Sequence, residues 1–279
     1  MRVAAFIDEP APLGIAAEDV VAIAARAHER DRYLAALLAP REIRADLIAL
    51  AAFAGEVGRI PAFVSEPMMG RIRLQWWRER IEEGTSGGHP VAAAIIDAMH
   101  RRALPAARLT NLIEAHEDSL DDRPFANDEA LFSYLDRIDG ALFELAAKIT
   151  GASPGPALVM DGGRAYGLAR LLSETPATLA HGRLLLPTKR LGPPSETGLD
   201  DHRAVMRDLS TLARQHLGAI ARDMRQLSRH NRAAFLPLAL VEPYLEALEQ
   251  DQAKSRAAVE INPARRVWRL WRCHRTGTV

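Results

Sequence analysis

This sequence has almost no cysteine: Cys273 is the only one in 279 residues. A single thiol excludes an intrachain disulfide and any zinc site built on four cysteines, and it fits a reducing compartment. Net charge is also missing, with 36 basic residues against 36 acidic ones and a pI near 7.2. No bulk field therefore points to nucleic acid or another polyanion. No apolar run approaches the roughly 18 residues needed to span a bilayer as a helix. The opening MRVAAFIDEPAP has no basic stretch followed by an apolar one, and it carries Asp8 and Glu9 early. Neither a secretory signal nor a transit peptide is expected from such a start. The nine histidines form no H-E-x-x-H and have no cysteine cluster beside them, so zinc is not expected. G-x-S-x-G, P-loop and strand-linked G-x-G-x-x-G patterns are absent as well.

What the chain does have is helical periodicity. Ile43, Leu47, Leu50, Ala54 and Val57 alternate at spacings of four and three. So do Leu131, Leu135, Ile138, Leu142, Leu145 and Ile149, and again Met206, Leu209, Ala213, Leu217, Ile220, Met224 and Leu227. No run of strict alternation and no Asn-Gly hairpin signal calls for strands. Glycine and proline punctuate the helices at 84–90, 151–156 and 192–198. Asp128 is the predicted cap of the helix that follows it. With no composition shift along the chain, the expectation is an all-α protein: a loose tail over residues 1–15 and one domain over 16–279.

Three segments carry enough polar chemistry to be weighed as sites. Residues 70–83 interleave Arg71, Arg73, Arg78 and Arg80 with Trp76 and Trp77. The neutral chain favours Met69, Ile72 and Trp76 facing the core, with the arginines solvated or paired, over a nucleic-acid surface. Residues 112–122 hold Glu114, Glu117, Asp118, Asp121 and Asp122 beside His116; a solvated acidic face is favoured over a divalent-ion site. The last segment, ARRVWRLWRCHR at 264–275, leaves two readings open. Arg265, Arg266, Trp268, Arg269, Trp271 and Arg272 form either a partner or membrane surface, or else Val267, Leu270 and Trp271 seal the core. Gly163 and Gly167, four apart, predict a close helix approach rather than a ligand contact. Tyr134 is expected to be buried, whether or not it faces a cavity.

Residues 50–62, LAAFAGEVGRIPA, and 163–187, GRAYGLARLLSETPATLAHGRLLLP, resemble the two metal-binding helices of the squalene/phytoene synthase family. Leu50, Ala52 and Phe53 match the first frame; Gly163, Ala165, Leu168, Leu172, Gly182, Arg183, Leu186 and Pro187 match the second. The likeness runs from about residue 28 to 245. It implies an isoprenoid synthase-type helical bundle around a central cavity, with the segment from Tyr134 lining it. In that family aspartates on both helices hold Mg²⁺ against a prenyl diphosphate. Here the corresponding positions are Gly58, Arg59 and Ala62 on the first helix, and Glu174 and Thr178 on the second. The flanking Gln and Asn of the family are Gly167 and Arg170, and its first-motif Arg is Gly55.

One carboxylate does not hold a magnesium cluster. Arg59 and Arg170 oppose a cation, and Tyr134, Arg170 and Arg183 are candidates for a cavity or anion site. Pro176 is expected to kink or end the helix beside Glu174. Within the superfamily, DRYLAALLAP (31–40), AAFAGEV (51–57), RIRLQWWRERIEE (71–83) and SLDDRPF (119–125) resemble the phytoene-synthase-like branch that assists assembly of respiratory complex I. That resemblance implies no catalytic residue, no cofactor, and complex I subunits or assembly intermediates as partners, with no nucleic acid. The implied location is cytoplasmic, with peripheral contact at the inner face of the membrane through the C-terminal segment. The alternatives are an active prenyl transferase, which would need Mg²⁺, and a prenyl-lipid or quinone carrier.

Overall fold

A computed structural model describes residues 16–64, 66–121, 123–180, 185–191, 199–251 and 257–279; the expected tail at 1–15 and Arg183 lie outside them. The described chain runs through α1 (Ala17–His28), α2 (Arg30–Leu37), α3 (Arg41–Gly58), α4 (Ile60–Phe63), α5 (Pro67–Glu83), α6 (Pro90–Arg102), α7 (Ala106–Asp118) and α8 (Asp128–Leu135). It continues through α9 (Ala141–Thr150), α10 (Pro156–Ala180), α11 (Thr188–Leu191), α12 (Leu199–Gln226), α13 (Arg229–Arg232), α14 (Val241–Asp251) and α15 (Pro263–Thr276). No strand occurs among the described residues, so the protein is all-α, as its periodicity predicts.

The three apolar stripes are the bundle's interior faces. Ile43, Leu47, Leu50, Ala54 and Val57 of α3 are buried, as are Leu131, Leu135, Ile138, Leu142, Leu145 and Ile149, and the α12 stripe up to Met224. They join one buried core reaching from Val21 to Cys273. Burying such stripes, rather than intrinsic propensity, holds a helical bundle together. α10 is the central strut, packed on α12, α14 and the turn Asp136–Gly140, while α3 packs on α1, α2, α6 and α9.

Three local expectations are corrected. Asn127, not Asp128, caps α8, its side chain accepting from the Ala130 amide at 2.9 Å. Asn127 has the extended backbone a cap needs, whereas Asp128 is already helical. α10 does not end at Pro176 but runs on to Ala180, Thr175 Oγ1 bonding the Leu171 carbonyl at 2.9 Å just before the proline. α5 turns Leu74, Trp77 and Ile81 inward, leaving Met69 and Ile72 exposed at 38% and 41%. The buried line starts at Gly70, where an added Cβ would lie 2.4 Å from Leu120 Cδ2. An eight-residue 3-10 stretch, Ala233–Leu240, is buried on every side.

Candidate functional site

Between α8 and α9, the chain from Asp136 to Gly140 makes a single π turn, a form common where a helix carries a site. α10 presses against this turn through its glycines. A Cβ on Gly163 would fall 2.6 Å from the Gly140 nitrogen; one on Gly167 would fall 2.8 Å from Asp139 Oδ2 and from Leu135 Cδ2. The Gly163–Gly167 pair thus serves packing, as its spacing implies.

Beside this seam opens a cavity of about 390 Å³. Gly167, Arg170, Leu171 and Glu174 of α10 form one wall; Ser133, Tyr134, Leu135, Ile138 and Asp139 form another; Phe125 and Leu185 close it. Tyr134 is half-buried and does line the cavity. Burial pushes its phenol up to about 12, with Arg170 opposing and Glu174 reinforcing the shift. The second-motif positions Gly167, Arg170 and Glu174 therefore share this cavity with Tyr134. Thr178 does not join them, its hydroxyl turning back to the Thr175 carbonyl at 3.0 Å.

Arg170 reaches into the cavity wall, but its Nη1 is bound to Glu29 Oε1 at 2.5 Å. Burial disfavours its charge, and the carboxylates of Asp139, Glu29 and Glu174 more than restore it. Glu29 continues to Arg32 (3.5 Å), and Arg32 Nη2 donates to Asp139 Oδ1 at 2.9 Å. Arg32 also stacks over Phe143 and Tyr166, at 4.7 and 5.2 Å. One residue before Arg32, buried Asp31 accepts hydrogen bonds from Tyr166 (2.9 Å) and Tyr244 (2.7 Å) through Oδ2. Its Oδ1 lies 2.9 Å from Arg266 Nε, an ion pair without hydrogen-bond alignment. Burial first, then the Asp31 charge, hold both phenols well above their ordinary pKa, so they act as donors. Glu29, Asp31 and Asp139 are thus matched by Arg32, Arg170 and Arg266 in one buried network. Sequence reading missed it; its signal is the charged quartet Glu29–Arg30–Asp31–Arg32 at the junction of two apolar-faced helices.

The donors around the cavity do not fit a divalent-metal cluster. Asp118 is engaged by Arg137 at 2.5 Å and Asp139 by Arg32, leaving Glu174 alone. Glu174 is open to solvent from the cavity. Desolvation by the cavity walls raises its pKa above 4.5, with Arg170 opposing and Glu29 and Asp139 adding to the rise. Among the described residues no group of three acidic, histidine or cysteine side chains is placed to bind a metal.

The first-motif positions lie elsewhere. A Cβ on Gly58 would meet the His116 ring at 3.6 Å. Burial, followed by Arg170 and Arg137, lowers the His116 pKa to about 3. Arg59 binds Glu56 at 2.6 Å and faces a different, surface cavity of about 360 Å³ walled by Phe63, Trp76, Trp77 and His89. Ala62 is exposed. In the acidic run, Glu117 pairs with Arg78 at 2.8 Å and Asp121 with Arg71 at 2.6 Å, while Asp122 lies outside the described residues. On α15 both sequence readings prove partial. Arg266 is buried with Asp31 and leaves the surface set, and Leu270 seals the core. Arg265 pairs with Glu246, and Arg269 Nε holds the Ala239 carbonyl at 3.1 Å. Trp268, Trp271 and Val267 face outward, and Arg272 is half-buried.

An all-α bundle with Gly167, Arg170 and Glu174 of α10 walling an internal cavity defines the class: an isoprenoid synthase fold. The squalene/phytoene synthase family model matches residues 25–272, and this chain belongs to that family. The fold is shared with a dehydrosqualene synthase (TM-score 0.72, 14% identity, 92% of this chain and 94% of that one). It is shared too with the squalene synthase HpnC of Alicyclobacillus acidocaldarius (TM-score 0.70, 20% identity, 86% and 95%). In sequence the chain is similar to NADH dehydrogenase (ubiquinone) complex I, assembly factor 6. The Bos taurus protein is 29% identical over 238 residues, 81% of this chain and 72% of that protein. The Mus musculus protein is 26% identical over the same shares.

Proposed function

We propose that this chain assists assembly of respiratory complex I and does not condense prenyl diphosphates. The observation that carries the non-catalytic half is the state of the second-motif wall. Arg170 is locked to Glu29 where the family places a metal-side Asn, and Glu174 is the one motif carboxylate in the cavity. Ionising a diphosphate needs a metal held by several oxygens, and this wall supplies one. Mg²⁺ is accordingly not required for its role. The assembly half is supported by the relatives, whose printed name is that of a complex I assembly factor. Cytoplasmic placement with contact at the membrane face follows from that role, since complex I is a membrane assembly. No described helix is long and apolar enough to cross a membrane.

Two assays test this reading. Purified protein incubated with farnesyl or geranylgeranyl diphosphate and Mg²⁺ or Mn²⁺ should return unchanged substrate beside a working control synthase; a C30 or C40 product overturns the non-catalytic half. A strain lacking the gene should lose assembled, rotenone-sensitive complex I and regain it with the Glu174→Ala variant. Normal complex I in that strain overturns the assembly half.

A further inference from the structure

The corner between α4 and α5 carries an apolar surface that no described residue covers. Phe63 and Met68 are exposed at 70% and 60%, and Met69 and Ile72 are exposed beside them. Gly70, Leu74, Trp77 and Ile81 face the core, so Met68, Met69 and Ile72 lie on the outer side of α5. Trp76 continues this side, four positions beyond Ile72. It is held edge-on by Trp77 and His89, at ring-centroid distances of 5.2 and 5.6 Å. It borders both the cavity of about 360 Å³ at Phe63 and Arg73 and a second surface hollow at Ile72. Methionine and aromatic side chains gathered beside arginine have the make-up of a protein contact.

Two charges on this surface lack an opposite. The arginines around them are matched within the chain: Arg59 by Glu56, Arg71 by Asp121, Arg78 by Glu117 and Arg80 by Glu83. Glu66 and Arg73 differ, because among the described residues neither side chain has an ion-pair or hydrogen-bond partner. They stand seven positions apart, about two helical turns or ~10 Å, with Met69 between them. An acid and a base so spaced on one flank are self-complementary. A copy of α5 turned about a two-fold axis near Met69 sets Glu66 against Arg73 and Arg73 against Glu66.

We propose that two copies of this chain pair antiparallel through the α4–α5 face, burying Phe63, Met68, Met69 and Ile72 and joining Glu66 of each copy to Arg73 of the other. Residues 66–83 hold four acids and four arginines, so a bilayer or nucleic acid finds no net charge there to attract it. A second copy meets both unmatched charges at once. The patch falls at the small end of specific contacts, below about 1,200 Å² in total, so the dimer is a weak one in the micromolar range. This goes beyond the assembly reading and does not depend on it.

The test is sedimentation velocity of the full chain over roughly 1–100 µM, at low and high salt. We expect a monomer–dimer equilibrium that salt weakens. E66R and R73E should each weaken the dimer at least about tenfold, because each sets like charges together. An equimolar mixture of the two variants should dimerise again, since each copy then supplies the charge the other lacks. F63S should also lose about tenfold. Circular dichroism should show all three variants folded, because none of the three side chains sits in the core. A chain that stays monomeric throughout would overturn the proposal. So would a dimer indifferent to any of the variants, or a mixture of E66R and R73E that stays monomeric.

Discussion

Arg266 and Arg275 lie nine positions apart on one helix and have opposite surroundings. Arg266 is sealed in the core against Asp31 and Tyr244, as Arg32 is against Asp139. Arg275 is exposed, with no described carboxylate to neutralise it. In the interior, each charge taken from water must find its opposite, because an unpaired buried ion costs several kcal/mol. On the surface water screens the charge, so an unmatched arginine is tolerated there and is free to meet a partner. The same residue type is thus architecture on one face of α15 and solvated surface on the other. The two degenerate motifs show a related contrast. α3 meets His116 at Gly58 and turns Arg59 outward, whereas α10 keeps its altered positions on a cavity and ties Arg170 into the buried network.

The strongest way to break the interior side of this contrast is Asp31→Ala. It strands Arg266 and two phenol hydroxyls in the core and should cost about 3–5 kcal/mol, read as a lower urea midpoint; a loss under 1 kcal/mol would mean the network is not buried in solution. Acid should act next through His116. Its pKa is lowered from 6.5 to about 3, so the unfolded chain takes up a proton that the folded chain refuses. Stability is then full above pH 6.5 and falls as the pH drops toward 3, by roughly 4 kcal/mol. His116→Gln should flatten that part of the pH profile.

Gly163→Ala drives a methyl into the Gly140 backbone and should cost about 1–3 kcal/mol in thermal melts. Glu174→Gln sharpens the contrast from the cavity side. Its folded pKa is raised, so wild-type stability is fully present below pH 4.5 and declines relative to the variant as pH rises through the folded value. The variant should melt slightly higher at neutral pH while still restoring complex I. Arg275→Gln should be smallest in stability, within about 0.5 kcal/mol, because the side chain is exposed and leaves no charge stranded.

Helix positions, and the residue types standing where the resemblance places the family's aspartates, were legible in the sequence for a simple reason. Periodicity at spacings of three and four is a local property, so α3, the α8–α9 run and α12 could be read before any fold was known. Residue types need only identities, and Gly58, Arg59 and Ala62 carry no carboxylate where the sequence resembles the first motif. The error on α5, where Met69 and Ile72 are exposed, came from a helix with apolar residues on more than one side. Periodicity there cannot choose a face, and the close contact of Gly70 with Leu120 chose it.

What only the tertiary structure decided is the partner of each charge. Arg32 meets Asp139 across 107 positions, Tyr166 meets Asp31 across 135, and Tyr244 meets Asp31 across 213. No local pattern encodes such pairings, because they follow from how α2, α10, α14 and α15 converge on one point. The sequence by itself determined an all-helical chain of the squalene/phytoene synthase family. Packing decided that Arg266 belongs to the core while Trp268 and Trp271 remain outside, because burial is a property of neighbours rather than of residue type.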